Sequence, residues 1–455
     1  MKGKGNFKYY VLIFVIIVTG VLIVNAAAWV EGGIFAEFAD SDMAVLIPIF
    51  LAGILLSLWG IIIAALNKSK KKISLKVDAS KVAPPTATQP EKKDIKKGRF
   101  YALKETDKRA GKIKSEVYDK ANSLYEICER FHDFAASKLK LYYDIADIRR
   151  FVAGLAVSHV LIMQGMSGTG KTSLAYAFGE FLKNSSTIVP IQPMWKERTD
   201  LVGYYNEFTK KFNETVLLQK MYEANYSDGI YITVLDEMNI ARVEYYFAEF
   251  LSLLEIPNPD GRMIDVVSDE WKDDPVLLKK GRLKLPENMW FIGTANNDDS
   301  TFAISDKVYD RAMIINLEKK SQVFYANETD GMKVSYANFT ELVNDAKKTY
   351  GITRRELRRI KEIDGYMIEK YRITFGNRIM KQLKEYVSAF VACGGTESQA
   401  VDDMLTKKVM RKLETLNPVY VRNTIEDLKS KLNEIFGDGE TPVTQEYLSR
   451  LERTL

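Results

Sequence analysis

Hydrophobic positions fall into three regimes along the chain. Near the N-terminus they form long unbroken runs. Tyr9 to Val30 is 22 residues without a charge and Met43 to Leu66 is 24, each long enough to cross a hydrocarbon core of about 30 Å as a helix. From about residue 140 to 320 the apolar residues come instead in short runs: Val160–Met163, Thr187–Ile191, Ile230–Leu235, Trp290–Gly293 and Met313–Leu317. Runs of that length separated by helical patterns predict buried parallel strands in a doubly wound α/β sheet, with ligands at the strand ends. After Thr353 helical periodicity returns with dense charge, while residues 321–350 read as irregular.

These regimes divide the chain into a transmembrane helical hairpin (1–66), a basic flexible linker (67–98), a helical neck (99–140), an α/β domain (141–320) and a helical C-terminal part (321–455). The linker holds 10 Lys against 3 acids, with Pro84, Pro85 and Pro90 among small polar residues. Lysines flank both long runs on their outer sides, and Glu31, Glu37, Asp40 and Asp42 lie between them. By the positive-inside rule the protein sits in the cell inner membrane as a two-pass anchor, with the N-terminus and the α/β domain cytoplasmic. Ala26-Ala27-Ala28 offers the alternative of a cleaved signal, but the preceding apolar region is longer than signal peptides use. The acidic loop is too short for a folded external domain.

Charge sharpens this division. Residues 1–98 hold 13 lysines against 7 acids, and the remainder holds 52 basic against 53 acidic side chains. The net charge of +5 therefore belongs to the N-terminal part, and a globally basic nucleic-acid surface is not indicated. Two cysteines (Cys128, Cys393) and two histidines (His132, His159) exclude a disulfide framework and a Cys/His zinc site.

The candidate chemistry starts at Gly165-Met166-Ser167-Gly168-Thr169-Gly170-Lys171-Thr172, which fits G-x-x-x-x-G-K-[ST] between an apolar run and a helical pattern opening at Ser173. Glycines let backbone N–H groups curl around phosphates, and the helix N-terminus adds its dipole. Lys171 is placed for the β/γ-phosphates and Thr172 for Mg²⁺. The third apolar run ends in Asp236-Glu237, where the Mg²⁺ shell needs a carboxylate and the attacking water needs a base. Asn296, at the end of the fourth run, is placed to bond that water or the γ-phosphate, with Asn297 as competitor. Arg311, just before the fifth run, either reaches a neighbour's γ-phosphate or pairs with a local acid.

The glycine loop, the segments 195–206 and 235–247, Gly293–Asn296 and Lys307–Ala312 together resemble an AAA+ ATPase. They are most similar to the McrB-like branch, the motor subunits of modification-dependent restriction systems. The similarity covers about residues 140–420, and Asp236–Tyr246 is its most diagnostic run. It implies an AAA+ P-loop fold with a five-stranded parallel sheet, a helical lid and assembly into a homo-oligomeric, usually hexameric, ring. In that reading Thr172 and Asp236 hold Mg²⁺, Glu237 activates water, Asn296 senses the γ-phosphate and Arg311 acts in trans. Arg378, in Phe375-Gly376-Asn377-Arg378, resembles a lid arginine reaching back to the nucleotide.

Two departures limit the transfer. Membrane spans replace the usual DNA-binding domain, and the sensor segment reads Ala295-Asn296-Asn297-Asp298-Asp299 in place of the pattern associated with GTP. ATP is the expected nucleotide, with GTP the alternative. The expected function is a membrane-anchored motor of an anti-phage system, with an McrC-like activator or nuclease as partner and DNA as a further candidate. The alternatives are a MoxR-like chaperone and a slowly hydrolysing membrane switch. Residues 255–287, poor in periodicity, are expected to form a hairpin or loop insertion; Trp195, Tyr204, Tyr205 and Phe208 either line a pore or pack around the second strand.

Overall fold

A computed structural model describes residues 98–296, 301–318 and 321–454. The predicted membrane spans, nearly all of the linker, and Asn297 lie outside them. Among the described residues no helix is long and apolar enough to cross a membrane.

Among the described residues nine strands form in chain order: β1 (Val160–Gly165), β2 (Thr187–Pro190), β3 (Gly203–Asn206), β4 (Lys211–Glu214), β5 (Tyr231–Asp236), β6 (Met263–Asp265), β7 (Arg282–Lys284), β8 (Met289–Asn296) and β9 (Met313–Asn316). Five of them make one sheet in the order β2-β5-β8-β1-β9, parallel throughout. These are the five predicted strands. At its centre both faces are buried: in β1, Leu161 and Met163 face one core and Val160 and Ile162 the other, whereas edge strand β2 alternates buried and exposed positions. The remaining strands form two antiparallel hairpins, β3–β4 and β6–β7. The second lies in the insertion expected over 255–287.

Helices α1 (Ala102–Lys114), α2 (Leu124–Leu139), α3 (Ile145–Val157) and α4 (Lys171–Phe181) precede or enter the sheet, and α5 (Val216–Ala224), α6 (Ala248–Leu254) and α7 (Asp306–Tyr309) follow. Residues 99–140, expected as a neck, are instead built into this body. In α2, Phe131 packs on Phe178 and Phe181 of α4 at 5.0 and 5.5 Å between ring centroids. The Glu214 carboxylate accepts the backbone N–H groups of Tyr101, Ala102 and Leu103 at the start of α1, satisfying donors that a helix start leaves open. Arg99 is buried between Asp269 (2.8 Å) and Asp274 (2.6 Å) and stacks on Trp271. Spacing alone could not reveal those long-range partners.

The C-terminal third is helical: α8 (Tyr336–Thr349), α9 (Arg354–Tyr371), α10 (Gly376–Ala392), α11 (Glu397–Met404), α12 (Pro418–Phe436) and α13 (Pro442–Thr454). Helix α8 corrects the expectation that residues 321–350 are irregular. Its polar composition hides a stripe of Phe339, Val343 and Ala346, and Ser335 caps it by accepting from Asn338 N. Between α11 and α12 the chain winds through a π-helical turn (Leu405–Val409) and a 3₁₀ turn (Met410–Thr415).

Lys408, buried in the π turn, ties this third to the sheet. Its Nζ donates to the carbonyls of Tyr309 (2.7 Å) and Ala312. Burial lowers its pKa from 10.5 to about 7, and a neutral amine has two N–H groups for those two carbonyls. Between about pH 7 and 10.5 the unfolded chain binds a proton that the folded lysine has released, so stability should rise with pH through that window and be lost as pH falls towards 7. Urea-unfolding midpoints for the protein and for Lys408→Met at several pH values check this. The variant should show the flatter dependence; equal slopes would remove Lys408 as the cause.

Candidate nucleotide-binding site

The site lies at the C-terminal ends of β5, β8 and β1, which stand side by side. Gly165 ends β1 and pairs in register with Asn296 at the end of β8. A Cβ on Gly165 would collide with the Leu317 carbonyl, and its φ of +142° falls in the region that favours glycine. Ser167 and Gly168 are exposed at the crest of the loop. Thr169 is buried and turns its hydroxyl onto the Met166 carbonyl at 3.0 Å. Gly170, in the left-handed region at φ 92°, precedes α4, so the first backbone N–H groups of that helix open towards the loop. Lys171 begins the helix, with Nζ donating to the carbonyls of Gly165 (2.9 Å) and Met166 (2.8 Å). Ser173 sits in the first helical turn beside the Tyr143 hydroxyl.

The two candidate magnesium ligands meet. Thr172 Oγ1 donates to Asp236 Oδ1 at 2.7 Å. Together they supply one hydroxyl and one carboxylate, hard oxygen donors suited to Mg²⁺, which takes its other ligands from water and phosphate. No cluster of three or more His, Cys, Asp or Glu able to hold a metal occurs among the described residues, so the donor set fits a nucleotide-borne ion better than a protein-caged one. Such an ion, when bound, would offset charge developing on the phosphates.

Thr294, one strand over on β8, is a further partner of the carboxylates, and nothing in the composition of its strand marks it. Its hydroxyl donates to Asp236 Oδ1 at 2.8 Å and accepts the Glu237 N–H at 2.9 Å. One side chain thus fixes both acidic residues. Glu237 itself is exposed and has φ 52°, a left-handed conformation costly for a residue with a side chain. Asn296 lies at the predicted strand end, and its carbonyl accepts from Asn239 Nδ2 (3.0 Å) and Thr301 Oγ1 (3.1 Å). Asn239 is buried, and its Oδ1 has no hydrogen-bond partner. It also faces a cavity of about 900 Å³ lined by Gly165, Met166, Asn296, Lys407 and Arg411. A smaller cavity of about 180 Å³ lies on the other side of the loop, between Tyr142, Tyr143, Gly168, Gly170 and Leu317. Tyr143 donates to the Gly170 carbonyl at 3.1 Å, and burial holds its hydroxyl well above the usual tyrosine range.

Arg311 and Arg378 are elsewhere. Met313 pairs with Leu161, and the Arg311 carbonyl accepts from Ser158 Oγ at 3.0 Å. That puts Arg311 near the N-terminal ends of the strands, about six residues or roughly 20 Å along the strand axis from Gly165. Arg378 shares the carboxylate of Glu255 with Arg311, and Gln382, one turn along α10, donates to the Asp310 carbonyl at 3.2 Å. Arg378 therefore does not reach back to the glycine loop of its own chain, contrary to the role its resemblance implied. The helical-third cations that line the loop cavity are Lys407 and Arg411, within the π and 3₁₀ turns, and Arg450 of α13. A charged run broken by irregular turns was their only trace in the sequence.

Residues 160–312 match the model of the AAA domain, dynein-related subfamily. This segment is an AAA domain. It runs from β1 to the residue after Arg311, and so contains the glycine loop, both acidic residues and Asn296. Among solved structures, the chain is similar to a Cytophaga hutchinsonii protein provisionally named an ATPase, at 14% identity and TM-score 0.44, covering 73% of this chain and 98% of that one. It is also similar to a full-length MCM homolog from Methanopyrus kandleri, at 10% identity and TM-score 0.34, covering 67% and 59%. A comparison with proteins of curated function finds no match.

The Thr294 bridge gives a direct prediction. Thr294→Val keeps the shape but removes both hydrogen bonds, each with a net value of about 0.5–1.5 kcal/mol. Nucleotide turnover should fall by about tenfold or more, while binding of a fluorescent nucleotide changes far less. A variant with unimpaired turnover would show that the bridge does not orient the carboxylates.

Proposed function

We propose that the protein is a membrane-anchored AAA+ nucleoside triphosphatase that hydrolyses ATP at subunit interfaces of a homo-oligomeric ring. The observation that carries this reading is the convergence of Thr172, Asp236, Thr294 and Glu237 behind a glycine loop within an AAA domain. Lys171 and the loop amides bind the phosphates, Thr172 and Asp236 hold Mg²⁺, and Glu237 takes the proton of the attacking water. Asn296 orients that water from the adjacent strand. Each subunit supplies this half-site alone, and Arg311 of a neighbour completes it. ATP is the substrate in this reading and GTP the alternative that a nucleotide competition resolves.

The anchor rests on the two charge-free runs and their flanking lysines. The restriction-like assignment rests on segments 195–206 and 235–247, which pack together behind the site: Trp195 meets Tyr246 edge-on at 5.9 Å, and the Tyr246 hydroxyl donates to the Met238 carbonyl. On this assignment the motor acts with a separate activator or nuclease, because no nuclease constellation is evident in this sequence. A second reading, a chaperone acting on polypeptides, is favoured by one feature. Phe208 at the tip of the β3–β4 hairpin is 98% exposed, an apolar contact suited to an unfolded segment.

The test is hydrolysis by the full chain in membranes or detergent. Glu237→Gln should bind nucleotide normally and lose hydrolysis by about a hundredfold or more, and Lys171→Ala should lose binding. Arg311→Ala should bind but hydrolyse poorly, by about 10³-fold if it acts as a trans finger. Full hydrolysis by Glu237→Gln would contradict the assignment of the base.

A further inference from the structure

Glu255 directly follows α6, the short helix Ala248–Leu254. Its two carboxylate oxygens each take a different arginine. Oε2 lies 3.0 Å from Arg311 Nε, and Oε1 pairs with Arg378 Nη2. One arginine belongs to the AAA domain and the other to α10 of the helical third. Arg311 is further held by donating Nη1 to the Lys307 carbonyl at 2.8 Å.

Two guanidinium groups share one carboxylate, so the cluster keeps a net positive charge. The three side chains are partly exposed, at 25% for Arg311, 33% for Glu255 and 47% for Arg378. A partly exposed, pre-oriented pair of forked donors is suited to an oxyanion carrying several oxygens. Its own subunit's phosphate loop lies at the far ends of the strands, so the anion has to come from outside the subunit.

We propose that Glu255 is a positioning residue that holds Arg311 and Arg378 as a pair directed at the triphosphate bound by the neighbouring subunit, so that Arg378 too acts in trans. The proposal rests on the reading of Arg311 as a residue that works across a subunit boundary. Without Glu255, two adjacent cations repel and swing apart, and the donors no longer meet the transferring phosphoryl group together. Misplacement of that kind lowers turnover more than it weakens nucleotide binding.

Mixed assemblies of full chains separate this role from a purely structural one. Acceptor subunits carry Arg311→Ala with their own glycine loop intact, and donor subunits carry Lys171→Ala with Arg311, Glu255 and Arg378 intact. Donors should restore hydrolysis to acceptors. Donors that also carry Glu255→Gln should support about tenfold lower kcat with KM within about twofold, and donors with Arg378→Ala should likewise be impaired. Glu255→Asp, which keeps the charge and retracts it, should give an intermediate kcat and serves as the test if the Gln variant does not assemble. Undiminished kcat with Glu255→Gln donors, or with Glu255→Asp donors where only those assemble, would overturn the proposal but leave the trans reading standing. A loss confined to KM would do the same. Failure of donors with native Glu255 to restore any hydrolysis would overturn both.

Discussion

One oxygen atom, Asp236 Oδ1, organises the catalytic end of this protein. It accepts from Thr172 on the helix after β1 and from Thr294 on β8. The two threonines are 122 positions apart in sequence and converge because the parallel order β5-β8-β1 sets their strand ends side by side. Parallel strands buried on both faces tolerate little register error, since a one-residue slip would reverse every side chain. The register that pairs Gly165 with Asn296 therefore also sets the distance between the loop, the carboxylates and the candidate sensor. Packing of the two cores and placement of the chemistry are one constraint.

The same sheet holds the two groups of candidate residues apart. Its C-terminal edge carries the glycine loop and the acidic residues; its N-terminal edge carries Arg311, Arg378 and Glu255. Strand length prevents one subunit from bringing the two together. An arrangement with both halves in every chain, facing opposite ways, suits head-to-tail assembly, in which each interface joins one edge to the other. The chain from Glu237 to Glu255, which ends in α6, connects the two edges within a subunit.

Much of this was legible in the sequence. The five strands were readable because a doubly buried strand must be apolar throughout, and the glycine loop because only glycine suits backbone positions such as Gly165 and Gly170. Asp236 and Glu237 were readable because acids end an otherwise apolar run. Thr294 was not: a hydroxyl within a buried strand has the composition of an ordinary β residue, and its function exists only through neighbours on other strands. Arg378 was assigned the wrong partner because position within a helical lid does not determine which edge of the sheet the helix meets. Arg99 and Lys408 were overlooked for a related reason, since their partners, Asp269 and Asp274 for one and the carbonyls of Tyr309 and Ala312 for the other, are set by tertiary contact.

The central claim is that binding is a property of one subunit and hydrolysis a property of two. It is tested most directly by measuring turnover per subunit and nucleotide occupancy per subunit on the full chain over a dilution series spanning assembly, at saturating nucleotide. Occupancy should stay constant while turnover per subunit collapses as the protein dissociates. Turnover per subunit that holds steady into the monomeric range would contradict it.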